Sequence, residues 1–476
     1  MRKWIRTLVA AVLILSVVNY PLSVAGSSYN YERGSEVYPT LPSVLPETVI
    51  TGGDLGAGAL RNPRDFRFGL DGLAYIADTG NHRILVLDEE LQLLRAIDGF
   101  DNGGEWETFS SPEGIFAEAD GTLYIADTQN GRIVVLDGQG NLKTLMDNIQ
   151  LTGSSLTFRP QKVGVDDAGR VYAVSGGSTD GLIQLDDQGN FIRFFGSNRV
   201  KPNPIEVIYR MFLTRTQRQS REQFIPTEVS NLHVDADGFV YATTRNVENG
   251  QVRRLNAKGE DVLKHDGWGM DVYGDLAVTS RNYNRVAQFM AVTADADGNI
   301  YALDNASGKV FVYDNYGWLL FIFGGKGDQA GLFADPHAVA ERNGTVYVMD
   351  AGRGVLTVFR PTAYGEKILL ANRLYMLGEF EQSLEHWTEI ARLDANHRFA
   401  WYAIGQAHYG RKDYKTAMEY FRLGDGRGGY SDAFGGLRDA WLRENFVWLM
   451  LGAFLLIIGL TVFSKFRRRR AKSPSP

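Results

Sequence analysis

Short apolar runs separated by glycine turns recur between residues 60 and 360. The first copy runs from Pro63 through Asp71-Gly72 to Leu73-Ala74-Tyr75-Ile76-Ala77-Asp78, then Arg83-Ile84-Leu85-Val86-Leu87-Asp88. The second has Pro112, Asp120-Gly121, Leu123-Tyr124-Ile125-Ala126-Asp127 and Arg132 to Asp137. The third has Pro160, Ala168-Gly169, Val171-Tyr172-Ala173-Val174 and Leu182 to Asp186. The fourth has Asp237-Gly238, Val240-Tyr241-Ala242 and Val252 to Leu255. The fifth has Asp297-Gly298, Ile300 to Asp304 and Lys309 to Asp314. The sixth has Pro336, Asn343-Gly344, Val346 to Asp350, Arg353 and Val355 to Phe359. Each Asp-Gly or Asn-Gly lies between two β-rich runs, as a hairpin turn requires.

The marker tyrosines fall at 75, 124, 172, 241, 301 and 347, with gaps of 49, 48, 69, 60 and 46 residues. A unit of 46–49 residues holds four short strands and their turns, the size of a propeller blade. The two long gaps imply insertions in blades three to five. Six units close one ring, so the fold class is mainly β. Thr48-Val49-Ile50-Thr51 resembles the end of an outer strand, and blade six lacks one after Phe359. Residues 48–51 are therefore expected to complete blade six and hide its open edge.

The periodicity turns helical over residues 364–424. Trp401, Ile404, Gly405, His408, Ala417 and Phe421 keep the spacing of a helical repeat, and the last five lie one 34-residue period after Leu370, Ala371, Leu374, Ser383 and Trp387. These positions resemble a tetratricopeptide repeat. Two copies make four helices, and a further helix near Tyr430–Arg443 is expected to cap them. Trp401 and Phe421 read as core.

Phe446 to Phe463 is 18 residues without a charge, enough to span about 27 Å as a helix. Trp441 and Trp448 lie near one edge, and Lys465, Arg467 to Arg470 and Lys472 follow at once. The positive-inside rule makes that end cytoplasmic. At the other end, Arg2, Lys3 and Arg6 precede an apolar run from Leu8 to Val18 and a Ser23-Val24-Ala25 cleavage site. This is the layout of a secretory signal peptide. The expected organisation is a signal peptide (1–25), a linker (26–47), a propeller (48–362), a helical domain (364–443), a membrane helix (446–463) and a basic cytoplasmic tail (464–476).

The repeats resemble the NHL family of six-bladed propellers. The likeness spans about 310 residues and is sharpest in blades one, two, five and six. In blades three and four, Ser175 and Thr244 stand where the others carry Asp78, Asp127, Asp304 and Asp350. Those two blades are expected to need a different turn arrangement.

The 476 residues include no cysteine, which excludes disulfides and thiolate metal sites. The net charge of −6 hides an asymmetry. Nine of the 50 basic residues lie in residues 1–25 and 464–476, leaving 41 against 56 acidic ones for the body. So acidic a body is a poor binder of nucleic acid.

The repeated aspartates are each followed by Arg83, Arg132, Lys309 or Arg353. Repetition argues against catalysis, and the carboxylates are expected to accept turn amides and orient the base. The resemblance places function at the channel mouth, at the residues after each blade-opening proline. These are Arg64, Glu113, Gln161 and His337, with Ser230 and Met290 as counterparts in blades four and five. A small-molecule, peptide or glycan ligand fits such a polar ring.

Related propellers include gluconolactonase-like enzymes and zinc lyases, which implies a metal-dependent hydrolase or lyase as the alternative. It would need three convergent ligands. His233 and His337 could face the channel, whereas His82 lies in a hairpin turn and His265 in a poorly matched loop. No third channel histidine exists, and no cofactor is expected. Residues 197–226 carry +6 and −2. Ile205, Ile208, Met211 and Phe212 at helical spacing, with Arg210, Arg215, Arg218 and Arg221 on other faces, could grip an acidic partner. The overall expectation is a single-pass, extracytoplasmic binding or scaffold protein with partners in the cell envelope.

Overall fold

The computed structural model describes residues 28–31, 37–152, 156–196, 228–245, 251–263 and 287–470. The chain divides into two units, Met1–Leu369 and Leu370–Pro476.

Six antiparallel sheets make a six-bladed β-propeller. Blade 1 runs Asp65–Phe68, Ala74–Asp78, Arg83–Leu87 and Leu93–Ile97. Blade 2 runs Pro112–Ala117, Leu123–Asp127, Arg132–Leu136 and Leu142–Met146. Blade 3 runs Pro160–Val165, Val171–Ser175, Leu182–Leu185 and Phe191–Phe195. Among the described residues blade 4 has three strands, Val229–Val234, Val240–Thr244 and Val252–Leu255. Blade 5 runs Phe289–Ala294, Ile300–Asp304, Lys309–Tyr313 and Leu319–Gly324. Blade 6 starts with Pro336–Arg342, Thr345–Asp350 and Val355–Pro361. Neighbouring inner strands touch in the order 1 to 6 and back to 1.

Val44–Thr51 supplies the fourth strand of blade 6, with Thr51 opposite Val355 and Val44 opposite Pro361. The ring thus closes where the sequence indicated, and the pairing starts four residues earlier than expected. Pro46 has no N–H to donate, which an edge strand tolerates. Tyr29–Tyr31 pairs with Val37–Pro39 upstream. Tyr29 is buried in the cluster that joins blades 4 and 5, with Tyr241, Val252 and Phe311.

Adjacent blades cover both faces of each sheet, so the middle strands are apolar without alternation. All five residues of Ala74–Asp78 and of Leu123–Asp127 are buried. Tyr75, Phe100 and Ile125 fill the seam of blades 1 and 2, and Ile76, Leu85, Met349 and Leu356 that of blades 6 and 1. The turn glycines 72, 121, 169, 238, 298 and 344 have φ between 73° and 85°, which explains their repetition. A hairpin that the sequence pattern did not suggest, Gly99–Asn102 with Glu105–Thr108, links blades 1 and 2. A Cβ on Gly99 would lie 2.2 Å from the Glu107 carbonyl oxygen.

The repeated aspartates are structural. Asp78 Oδ1 accepts the Arg61 N–H at 2.8 Å, and its Oδ2 accepts Arg83 Nε at 2.8 Å. Asp127 does the same for Ser110 N–H and Arg132 Nε, at 2.7 and 2.8 Å. Blade 3 has the different turn that the sequence predicts: residues 176–181 join its second and third strands, where residues 79–82 and 128–131 with a 3-10 turn do so in blades 1 and 2. Ser175 Oγ accepts the Arg159 N–H at 2.9 Å, doing the work of the aspartate. In blade 5 the base departs from the pattern, since Lys309 Nζ donates to Tyr29 Oη at 2.6 Å.

Five helices follow: α1 (Ala363–Met376), α2 (Phe380–Leu393), α3 (Arg398–Gly410), α4 (Tyr414–Leu423) and α5 (Arg427–Arg470). They form an all-α region, packed in sequence from α2 to α5. Trp387 is fully buried, edge-on to Phe399, and Phe421 is buried as expected. Trp401 is only half-buried and stacks on Tyr420, so it is not core. Gly405 lies against the Phe421 ring, where a Cβ would come within 2.8 Å. The capping helix and the apolar span are one helix of 44 residues. Within α5, Phe446 to Phe463 is exposed throughout, and the helix is long and apolar enough to cross a membrane.

Candidate functional site

The inner strands of blades 2 to 6 share one irregularity. Their register skips a single residue after Pro112, Pro160, Val229, Phe289 and Pro336. The skipped residues are Glu113, Gln161, Ser230, Met290 and His337. In blade 1 the Arg64 N–H meets the Ala77 carbonyl and Asp65 lies opposite Ala77, which puts Arg64 at the same place. A β-bulge re-aims a side chain out of the ladder. The residues read from the sequence as a mouth ring are thus one structurally equivalent set.

The set is not uniformly available. Arg64 Nη1 donates to His337 Nε2, and His337 Nδ1 hydrogen-bonds the Asp335 carbonyl at 3.1 Å. Because a guanidinium only donates, this fixes the imidazole as the Nδ1–H tautomer. Burial, reinforced by the Arg64 cation, pulls His337 down to about 4, so it is neutral at pH 7. Ser230 Oγ is committed to the Phe289 carbonyl at 2.6 Å and to Thr243 Oγ1 at 2.9 Å. The side chains of Glu113 and Gln161 make no hydrogen bond among the described residues. They and the remaining N–H groups of Arg64 are the polar groups left to meet a ligand.

One residue further along, a second layer closes the channel. Lys162 Nζ donates to the carbonyls of Arg64 and Glu113 at 2.7 and 2.8 Å and lies 3.2 Å from Asp65 Oδ1. It therefore ties blade 3 to blades 1 and 2. Burial pulls the Lys162 ammonium below the usual lysine range, and Asp65 opposes that pull. Asp65 Oδ2 also accepts the Ile115 N–H at 3.1 Å. Two residues deeper, Arg67 Nη2 reaches Asn231 Oδ1 at 3.2 Å and the Leu232 carbonyl at 2.5 Å, both in blade 4. Asn231 Nδ2 continues to the Met290 carbonyl at 3.0 Å. Blades 1 and 4 face each other across the ring, so Arg67 spans the channel. The mouth is a funnel with a floor rather than a pore.

Sequence reasoning missed Asp65, Arg67, Lys162 and Asn231. For Asp65, Lys162 and Asn231 the available signal was a polar residue where other blades carry Gly114, Ala291 and Ala338 at the same register, and for Arg67 a cation where Phe116, Gly164 and Ala340 stand.

Among the described residues no group of three or more His, Asp or Glu side chains is placed to hold a metal ion. His233 is in the Arg67 layer and His337 in the Arg64 layer, each beside a guanidinium. Burial, with Arg67 adding to it, pulls His233 down to about 3. His82 has φ of 56° in its turn and accepts the Ser111 N–H at 2.9 Å, joining blades 1 and 2. His265 and the insertion arginines Arg210, Arg215, Arg218 and Arg221 lie outside the described residues.

No family model matches the chain, and no curated protein matches it. Solved structures do. Streptogramin B lyase is 11% identical, with a TM-score of 0.39 over 63% of this chain and 94% of that one. A catalytically inactive virginiamycin B lyase from Staphylococcus aureus, crystallised with quinupristin, is 9% identical, with a TM-score of 0.41 over 72% and 97%. A protein of unknown function from Bacteroides thetaiotaomicron is 13% identical, with a TM-score of 0.41 over 64% and 70%. At these values the likenesses carry no argument about activity, and the propeller rests on its own strand pairing.

Proposed function

We propose that this chain is a membrane-anchored, extracytoplasmic binding protein of the cell envelope, with an NHL-like propeller and tetratricopeptide-like helices as its interaction modules. The observation that carries this reading is the cross-ring network beneath the mouth. Arg67, Lys162 and Asp65 spend their hydrogen bonds on other blades, adjacent and opposite, which makes the channel a rigid platform. Above it, Glu113, Gln161 and Arg64 offer an acceptor, an amide and a donor on a fixed frame, which suits recognition. Catalysis finds less support in this geometry. Among the described residues Ser230 Oγ bonds only Thr243 Oγ1 and the Phe289 carbonyl, and His337 already accepts from Arg64. The exposed apolar helix with its basic end supports the anchor and the outward orientation of the propeller.

The test is capture in native membranes. The tagged full chain is cross-linked and purified beside an E113A/Q161A variant of unchanged thermal midpoint. A discrete partner retained by the native chain and lost from the variant supports the mouth as the recognition site. Equal retention moves recognition elsewhere, and no partner from either defeats the scaffold reading.

A further inference from the structure

The channel mouth carries two charges of opposite sign that do not meet. Arg64 of blade 1 and Glu113 of blade 2 occupy equivalent places in the ring, and both are half-buried. Their carbonyls accept from one Lys162 ammonium, at 2.7 and 2.8 Å, so the two residues are close neighbours. The Arg64 guanidinium turns instead toward blade 6. It donates to His337, and no carboxylate among the described residues pairs with it. Glu113 likewise has no ion pair and no side-chain hydrogen bond among the described residues.

His337 is what keeps the two charges apart. A guanidinium and a carboxylate on adjacent strands ordinarily pair through two parallel hydrogen bonds. A neutral imidazole nitrogen holds Arg64 in place without cancelling its charge. The other charges around the mouth are already engaged. Asp65 takes Lys162 at 3.2 Å and Arg67 at 3.4 Å, and Asp335 takes the Asn305 amide at 2.7 Å. Arg64, Arg67 and Lys162 balance Asp65, Glu113 and Asp335, so the mouth as a whole is neutral. A simple anion on Arg64 would face Glu113, and a simple cation on Glu113 would face Arg64. A ligand complementary to this ring carries one charge of each sign and no net charge.

We propose that the mouth binds a compact zwitterion of the α-amino acid kind, its carboxylate on the fork of Arg64 and its ammonium on Glu113. The proposal rests on the mouth being the recognition site of this protein. Because the two residues are such close neighbours, both ligand charges must come from one small head group, as they do when ammonium and carboxylate share a carbon. The floor of Arg67 and Asn231 closes the site below, as a small-molecule pocket requires. Gln161 stands next in the ring, and its free amide both donates and accepts toward the rest of the ligand.

The test is isothermal titration of the full chain in detergent. One arm uses each proteinogenic amino acid, and a second uses glycylglycine and alanylalanine. At least one probe is expected to bind, at least tenfold more tightly than its N-acetyl derivative, which lacks the ammonium, and its amide, which lacks the carboxylate. E113Q should abolish the first preference and keep the second, and R64Q the reverse. Should R64Q disturb folding, E113Q decides alone, because the Glu113 side chain holds nothing in the folded chain. Tighter binding of a dipeptide keeps the chemistry and makes a peptide its source. No binding in either arm overturns the zwitterion, as does an N-acetyl derivative bound as tightly as its parent or binding that E113Q leaves untouched. A membrane partner still captured through Glu113 and Gln161 would then leave the mouth standing as a recognition site for something else. Loss of both the partner and the zwitterion defeats the mouth itself.

Discussion

Arg67 of blade 1 hydrogen-bonds Asn231 of blade 4 at 3.2 Å, three blades away in a ring of six. A side chain that reaches the opposite blade fixes the diameter of the propeller. It also leaves the Leu232 carbonyl and the Asn231 amide oxygen without their donor when it is removed. R67A is expected to destabilise the folded chain by about 2–4 kcal/mol, from unpaired buried acceptors and a lost packing contact. Urea unfolding followed by tyrosine and tryptophan fluorescence measures it. A change under about 0.5 kcal/mol would mean that the floor is not held by this bond.

Lys162 and Asp65 make the companion prediction. Both side chains are almost wholly buried, at 7% and 3% exposure, and lie 3.2 Å apart. D65N leaves the buried Lys162 ammonium without its counter-charge, at a cost of about 3–5 kcal/mol. K162M should cost less, because Asp65 keeps Arg67 Nε at 3.4 Å, and the double variant should cost clearly less than the sum of the two. Additive losses in the cycle would mean that the two charges do not interact.

The histidines give the pH dependence a sign. His337 and His233 are held at about 4 and about 3 in the folded chain, below the ordinary value of 6.5. Between these values the unfolded chain binds protons that the folded chain refuses. Stability therefore falls as pH drops below about 6.5, by up to about 1.4 kcal/mol per pH unit for each histidine. H233Q should flatten the decline of the thermal midpoint between pH 6.5 and 4. An unchanged slope would show that His233 is protonated in place.

Glu341 acts in the opposite sense. Burial, joined by the charges of Asp295 and Asp297, raises its carboxyl to about 7. A raised value means stability present below about 4.5 and lost as pH climbs through 7. E341Q removes the buried charge and is expected to raise stability at pH 8 by about 1–3 kcal/mol, with little effect at pH 4.5. A loss at pH 8 would show that the ionised carboxylate has a cation partner.

Much of this architecture is legible in the sequence because repetition averages out local ambiguity. Tyr75, Tyr172 and Tyr241 mark blades because each is buried with its hydroxyl on a turn carboxylate, Asp71, Asp166 or Asp235. Closure by Val44–Thr51 is legible because Thr48 to Thr51 copies an outer strand. The floor is not legible, since Lys162 and Arg67 act across blades and their partners are carbonyls. Backbone acceptors leave no mark in a sequence. The mouth ring is legible as positions, through the residues after the blade prolines, whereas the bulge that aims them is a property of pairing. The 99–108 hairpin is hidden by its polar residues, whereas the fusion of cap and span into α5 is legible after all, since no Gly or Pro stop lies between Trp441 and Phe446.

Ser175 shows how a repeat can keep one hydrogen bond while the turn beside it changes. Asp78 and Asp127 stand opposite Arg83 and Arg132 across the strand pair. In blade 3 the register that pairs Ala173 with Ile183 puts Gly181 opposite Ser175, so no cation is present. A carboxylate there would be buried without a counter-charge, and a hydroxyl supplies the acceptor alone. S175D is accordingly expected to cost about 2–4 kcal/mol, more than the about 1–2 kcal/mol of S175A, although aspartate is the residue the other blades use. Denaturant midpoints of the two variants decide the order. If S175D proves the milder change, the serine is not standing in for an unaccompanied charge, and the turn in blade 3 must draw its stability from elsewhere.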